Sequence, residues 1–500
     1  MGTDDNKKLL SYMNIQSINT SNGMDTEKIQ MVGCNLEDKK LKNTLEHIAA
    51  IPQLAKPLIC LPDIHLKEKT EAPCSFVAAT EHYIIPELTA PSVGCGMGIV
   101  ATSLKYEDIT PEKLEIFYGH MREYLGAHYG LLGNVLLWLG LSKRPLQKYD
   151  LTEQELADAV EQGAKAVQEK YNLPQDILDH IEYNGNAMDE ETRRSFPARY
   201  LLPRAAFATG RHDMGYGFKG NHFLEIQYIE TIADEQVARS WGLTPGQIVI
   251  MYHGGGGAVS YYMGRYFANR KKDHNKFRSR VFQMFGKFVF HFGSWEGLQH
   301  AYERWRYYFS PRPFEAIPIN TFEGKRLMAS VKASLNYSYA FRLTIVKRVV
   351  DALTKTFGPE VKASLLWDNI HNSIREENIG NRKLIVHRHT ATRAFEGRPV
   401  LVSGFNNTSS YIGIGLPKGE EHLFSVDHGA GETIKKHRTN GISQMHPEQH
   451  ETEIHTTKHP YKEKVPHITN EGLETVVKPL EAVGLMRAVA YTRPIAVFKG

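Results

Sequence analysis

The chain has 500 residues, with 60 Lys and Arg against 56 Asp and Glu for a net charge of +4, and with 41% hydrophobic and 23% charged residues. That balance is globular and excludes an intrinsically disordered chain, while so small a net charge gives no global argument for nucleic acid, so any basic surface must be local. Four cysteines without paired spacing exclude a disulfide framework or a four-cysteine zinc knot, but leave room for a lone Cys ligand.

In chain order, the start Met1-Gly2-Thr3-Asp4-Asp5-Asn6-Lys7-Lys8 lacks the apolar stretch of a signal peptide, and the best apolar run, Leu131 to Leu141, is far short of a bilayer span. The expectation is a soluble, cytoplasmic protein with no membrane partner. Asp63 and His65 in Leu61-Pro62-Asp63-Ile64-His65 share one face if that segment is a strand, either as a functional pair or as a structural hydrogen-bonded one. Cys95 closes the small-residue run Ser92-Val93-Gly94-Cys95-Gly96-Met97-Gly98. Thr152-Glu153-Gln154-Glu155 reads as a capping box, and Leu156, Ala159, Val160, Gly163 and Val167 follow at helical spacing.

Gly220-Asn221-His222-Phe223-Leu224-Glu225 brings an amide, an imidazole and a carboxylate together where a turn enters a strand. Strand-like runs are predicted at Phe223 to Ile229, Gln247 to Tyr252, Lys383 to Val386, Pro399 to Val402, Tyr411 to Ile414 and Arg487 to Tyr491. His253 follows the second of these and precedes four glycines, where the backbone can approach a phosphate or bend sharply. Arg265, Arg270, Lys271, Lys272, Lys276, Arg278 and Arg280, interleaved with Tyr266, Phe267 and Phe277, either grip a nucleic-acid backbone with aromatics for stacking or form a solvated helix face. A long helix is predicted from about Lys325 to Phe357, stopped by Gly358-Pro359.

Asp368 and His371-Asn372 sit at helical spacing, which would let Asp368 orient His371. His428-Gly429-Ala430-Gly431 sets an imidazole on a turn without bulk after it, as suits an exposed nucleophile or ligand. The stretch holding His446, His450, His455, His459 and His467 is read as a polar loop. One cysteine and four histidines, each on a separate turn, have the pattern of a metal site built from scattered elements. Irregular alternation of strands and helices, with no fixed repeat and no Gly-rich phosphate loop, predicts an α+β fold. The candidate ligands run from residue 95 to residue 428, so they must converge in one catalytic domain with insertions.

On these motifs the chain resembles the RtcB family of RNA ligases. The resemblance is carried by Pro62 to His65, Cys95-Gly96, Gly220 to Glu225, His253, His371-Asn372, His387 to Ala394, His428 to Gly431 and the ending Lys499-Gly500. It implies one ligase domain over 1–500, with mixed sheets around a central metal and nucleotide cleft and a basic insertion near 260–310. It further implies joining of an RNA 3′-phosphate or 2′,3′-cyclic phosphate to a 5′-hydroxyl with GTP and one or two Mn²⁺ ions, through a guanylylated His428. By the same resemblance Cys95, His253 and His371 hold one ion, and Cys95 bridges to a second beside His222. Asn221, Glu225, Asn372, His428 and Lys499 fall at nucleotide-binding positions, and a helper of the archease type is a candidate partner.

The chain also departs from the family pattern. Ser92 stands where the family has a metal-binding Asp, which implies a weaker or differently completed second metal position. Gly255-Gly256-Gly257-Ala258 replaces Gly-Ser-Arg-Gly, Glu432 replaces an Arg, His389-Thr390 replaces Lys-Gly, and Phe341 replaces an Asn. Each lost charge-assisted phosphate contact removes roughly 1.5–3 kcal/mol. The alternative expectation is therefore a diverged RNA-end-binding or end-modifying protein that keeps the fold and part of the metal site.

Overall fold

Runs rich in Val, Ile, Leu and Ala build two large sheets, beside two two-stranded ones, in a computed structural model that describes residues 28–124, 145–268, 277–457 and 462–500, without 35, 69, 217, 219 and 449 and with 132, 133 and 136 added. The larger sheet has the order Pro399–Val402, Ser410–Gly415, Met486–Lys499, Phe223–Ile232, Gln247–Gly254, Gly96–Lys105, Ala363–Ile370, all antiparallel to their neighbours. The smaller sheet runs Ile29–Met31, Leu58–His65, Cys74–Thr80, Arg382–His389, Asn372–Ile379. Only His371 separates Ala363–Ile370 of the first sheet from Asn372–Ile379 of the second, so the chain passes between sheets at a candidate ligand. The architecture is α+β, as predicted.

Against the larger sheet lies the helix Phe322–Phe357, started by the Thr321 hydroxyl, which accepts from the Gly324 amide at 3.1 Å, and stopped at Gly358. It is buried along most of its length because it carries apolar residues all round, as a helix packed on several sides must. Among its buried polar residues, Ser334, Ser338 and Arg342 meet the turn before Cys95.

Three expectations change. The helix after Thr152 is two helices, Glu153–Gln162 and Ala164–Lys170, because Gly163 takes φ +66° and breaks the turn. Asp368 and His371 lie on and just beyond a strand, not on a helix; Asp368 turns instead to Arg342 and Tyr252. Of the histidine-rich stretch, expected as a polar loop, His455 lies on a strand of the hairpin Glu451–Thr456 and Lys462–Pro466, which joins the larger sheet by parallel pairing with Met486–Lys499, while His446, His450 and His467 flank the hairpin and His459 lies outside the described residues. Alternation of Thr452, Ile454 and Val465 with charged neighbours gave a strand pattern that the histidines masked; His455 is buried in it and His467 just beyond it. Of the basic segment, Arg270, Lys271, Lys272 and Lys276 lie outside the described residues, as do the side chains of Arg278 and Arg280. Most of the apolar run Leu131 to Leu141 lies outside them too; among the described residues no helix is long and apolar enough to cross a membrane.

Candidate metal centre

Register alone brings the candidate donors to one edge of the larger sheet. Phe223 pairs with His253, His253 with Met97, and Gly96 with both Gly254 and Ile370. His222, Cys95 and His371 are the residues just outside three of those strands, so four side chains from four neighbouring strands converge at the same level. Cys95 Sγ lies 3.3 Å from His222 Nε2 and 3.2 Å from His253 Nε2, and His253 Nε2 lies 2.9 Å from His371 Nε2. The donor atoms form two overlapping triplets, Cys95/His222/His253 and His253/His371/His428. Their shared residue is His253, where the resemblance puts Cys95 in the shared position.

The turn that presents Cys95 has its polar groups tied down. The Val93 carbonyl accepts from Ser260 at 2.7 Å and Ser334 at 3.1 Å, and the Gly94 carbonyl accepts from Arg342 at 2.6 Å. The Gly94 amide donates to the Asn372 carbonyl at 2.8 Å, and the Cys95 carbonyl accepts from the His371 amide at 2.9 Å. Gly94 has φ +92°, and a Cβ there would stand 2.1 Å from Ser338 Oγ, so glycine is required both by conformation and by the close approach of the long helix. Arg342 is held in turn by a two-nitrogen grip on Asp368 at 2.7 and 2.9 Å, and Tyr252 donates to the same carboxylate at 2.8 Å. Sequence reading missed this support, since a buried Arg and Asp on separate elements 26 residues apart leave no local pattern.

Electrostatics prepares these groups for a cation. Burial, then neighbouring imidazoles, pushes His253 and His371 well below the ordinary histidine range, so both are neutral lone-pair donors at neutral pH. The His253 Nδ1–H donates to the Asn221 carbonyl at 3.1 Å, which leaves the Nε2 lone pair facing Cys95 and His371. Burial pushes the Cys95 thiol up to about 12; a thiol so desolvated ionises when a metal replaces its proton. Sulfur and imidazole nitrogens gathered at 2.9–3.3 Å are a donor set that a soft or borderline divalent ion would satisfy on displacing the thiol proton.

His428 leaves the strand Ser425–Asp427 and is pinned on both sides, its carbonyl accepting from the Ser403 amide and the Ala430 amide donating to the Ser403 carbonyl, each at 3.0 Å. Its ring stacks on His371 at 4.1 Å between centroids and lies edge-on to His253 at 5.7 Å. Nδ1 meets the Thr390 carbonyl at 3.0 Å and so carries the proton, which leaves Nε2 as the basic atom. Burial, with Lys67, His65 and His389 nearby, lowers His428 to about 3, so the ring is neutral. The helix Gly431–Thr439 begins three residues later, and its N-terminal Thr433 amide and hydroxyl are both taken by Asp63 Oδ1.

The remaining expected residues are placed as follows. Glu225 is buried beside Gln227, and burial raises its carboxyl to about 7. Lys499 donates to Asn406 Oδ1 at 2.6 Å and sits 5.5 Å from the Phe405 ring. Asn372 accepts from the Thr390 amide at 2.8 Å and donates to the Ser92 hydroxyl at 3.2 Å, so its amide braces the site from behind. Asn221 and Ser92 are exposed, and Ser92 is in neither donor triplet. Arg265 lies 3.9 Å over the Tyr261 ring. The expected Asp63/His65 pair is on a strand, with His65 Nδ1 2.6 Å from the Asp63 carbonyl. A neighbouring group went unread: Cys74 Sγ lies 3.7 Å from His389 Nε2. Burial opposes it, yet His389 and His65 hold that thiol well below its ordinary range.

Comparison with known proteins gives a match over most of the chain. The family described as tRNA-splicing ligase RtcB matches residues 44–500. The chain is similar to proteins named tRNA-splicing ligase RtcB from Aeropyrum pernix, at 25% identity over 93% of this chain and 92% of that protein, and from Methanococcus maripaludis, at 25% over 91% and 90%. The protein of that name from Archaeoglobus fulgidus is 26% identical, over 91% and 90%. With the match spanning nearly the whole chain and every strand that bears a donor, the chain belongs to the RtcB family.

Proposed function

We propose that this protein is an RNA ligase that joins a 3′-phosphate or 2′,3′-cyclic phosphate end to a 5′-hydroxyl end at the expense of GTP, with His428 as nucleophile. The observation that supports it most is the neutral His428 ring, its Nδ1 proton held by Thr390 and its Nε2 free beside the donor cluster. In this reading His428 Nε2 forms a bond to the GTP α-phosphorus as the α–β anhydride breaks and pyrophosphate leaves. A 2′,3′-cyclic phosphate is first opened by water to the 3′-phosphate; the RNA 3′-phosphate oxygen then displaces His428, and the 5′-hydroxyl oxygen, losing its proton, displaces GMP. Thr390 keeps the ring in the attacking tautomer and stabilises the positive charge that it gains.

Cys95, His222, His253 and His371 would hold the metal, and a divalent ion there supplies charge neutralisation for the phosphates approaching His428. Manganese is the ion that the family resemblance implies; the S/N donor set by itself favours zinc. Glu225 and Lys499 would serve the nucleotide in this reading, and Asn221, exposed on the turn before His222, would contact phosphate. The Arg265 region is proposed to contact the RNA backbone. Glu432 puts a negative charge in the first turn of the helix after His428, which offsets the favourable helix N-terminus for an anion.

Incubation with paired RNA ends and GTP in Mn²⁺ or Zn²⁺ is the test: a sealed product that requires GTP and a 5′-hydroxyl is expected. Nucleotide-independent binding of the ends without sealing would instead favour the end-binding alternative, which exposed Ser92 and its bond to Asn372 support.

A further inference from the structure

The helix Phe277–Phe292 is folded inside out. Its inward side carries Lys287 and His291, both buried. The Lys287 ammonium donates to the Tyr308 carbonyl at 2.6 Å and the His291 Nε2–H to the Tyr266 carbonyl at 2.9 Å. Arg304 fastens the same segment to the long helix through buried Glu323 at 2.6 Å. Outward it presents Val281, Met284, Phe285, Phe288 and Val289, each 43–55% exposed. Spacing of three and four residues makes these one stripe.

A second stripe continues it. Phe288 packs at a tilt on Phe292 and Phe292 on Phe309, and Phe309 lies flat against Trp305 at 5.5 Å. Trp295, Tyr302 and Trp305 are 75%, 79% and 55% exposed. Taking about 150–250 Å² for each aromatic side chain, the face is on the order of 1,000 Å². That exceeds the ~300–600 Å² of the largest patch on an ordinary monomer and matches the ~800 Å² that each partner gives to a stable interface.

We propose that this face docks a second copy of the chain, forming a twofold dimer by helix-on-helix packing. Buried ion pairs behind it hold the face rigid before any partner arrives, which lowers the ordering cost of association. Among the described residues, Arg304 is engaged by Glu296 and Glu323, and Arg306 by Glu315 at 2.7 Å. A single stripe at helical spacing is complementary to itself about a twofold axis. The inference is independent of the proposed ligase activity.

Sedimentation equilibrium of the full chain from low to high micromolar concentration tests it. The expected result is twice the chain mass for the wild type. A Phe285→Asp/Phe288→Asp variant should weaken dimerisation by about a hundredfold or more, with an unchanged circular dichroism spectrum and a cooperative melt that show it folded. A wild type that stays monomeric throughout, or a variant that dimerises equally well, overturns the proposal. So does a monomer that floats with phosphatidylcholine or phosphatidylserine vesicles, or that loses RNA affinity on the same substitutions, since the occupant would then be lipid or RNA.

Discussion

Arg342 shows how much of this site depends on residues that never reach its edge. Its guanidinium joins the Gly94 carbonyl to the Asp368 carboxylate in the buried interior, so truncation leaves a charge unpaired in low dielectric and a carbonyl without its donor. Arg342→Ala should cost about 3–5 kcal/mol in urea unfolding and lower bound metal per chain; a loss under 1 kcal/mol would refute the support role. His387 provides a second residue-scale case. Burial lowers it to about 4, and its Nε2 accepts from the Ile85 amide at 3.1 Å, which only the neutral ring can do. With the folded pKa below the unfolded value of about 6.5, the unfolded state binds more protons between those limits. Stability from this group is therefore full above the unfolded value and is lost as pH falls toward 4, with a slope of up to about 1.4 kcal/mol per pH unit. His387→Gln should flatten the dependence of urea midpoint on pH in that window.

At the scale of elements, the glycines after His253 are packing residues as much as turn residues. A Cβ at Gly255 would lie 3.0 Å from His222 Cε1 and 3.6 Å from Cys95 Sγ, so Gly255→Ala pushes a ligand without touching the hydrophobic core. Metal affinity should fall by roughly 10–100-fold by competition with a chelator, with little change in melting temperature; unchanged affinity would show that the loop has slack. The same loop explains what sequence could and could not tell. His222, His253 and Cys95 were legible because each stands where an apolar strand meets a small-residue turn, and strand periodicity is a local signal. Asp368 was misread because three-residue spacing fits a helix as well as it fits chance, and only the pairing of Ala363–Ile370 with Gly96–Lys105 decides it.

Over the whole molecule, the α+β class and the long helix followed from period and stop signals, while the two-sheet arrangement did not. Sheet order depends on pairings such as Met486–Lys499 with Phe223–Ile232, more than 250 residues apart, and no local pattern encodes a partner at that distance. The hairpin Glu451–Thr456 and Lys462–Pro466 was hidden for a related reason, since histidines in a strand look polar until a neighbouring strand buries them. What the long-range pairings achieve is the levelling of four strand ends, so that one thiol and three imidazoles meet beside His428. If that convergence serves catalysis, the nucleophile and the ligands should fail in different ways. His428→Ala should keep its metal, whereas Cys95→Ser should lose most of it.

The most direct measurement is incubation of the purified protein with α-labelled GTP and Mn²⁺, followed by peptide mapping of acid-labile label. The account predicts one nucleotide on the peptide containing His428, lost in His428→Ala and on removal of the metal. Label on another residue, or no label under any divalent ion while RNA ends are still joined, would contradict it.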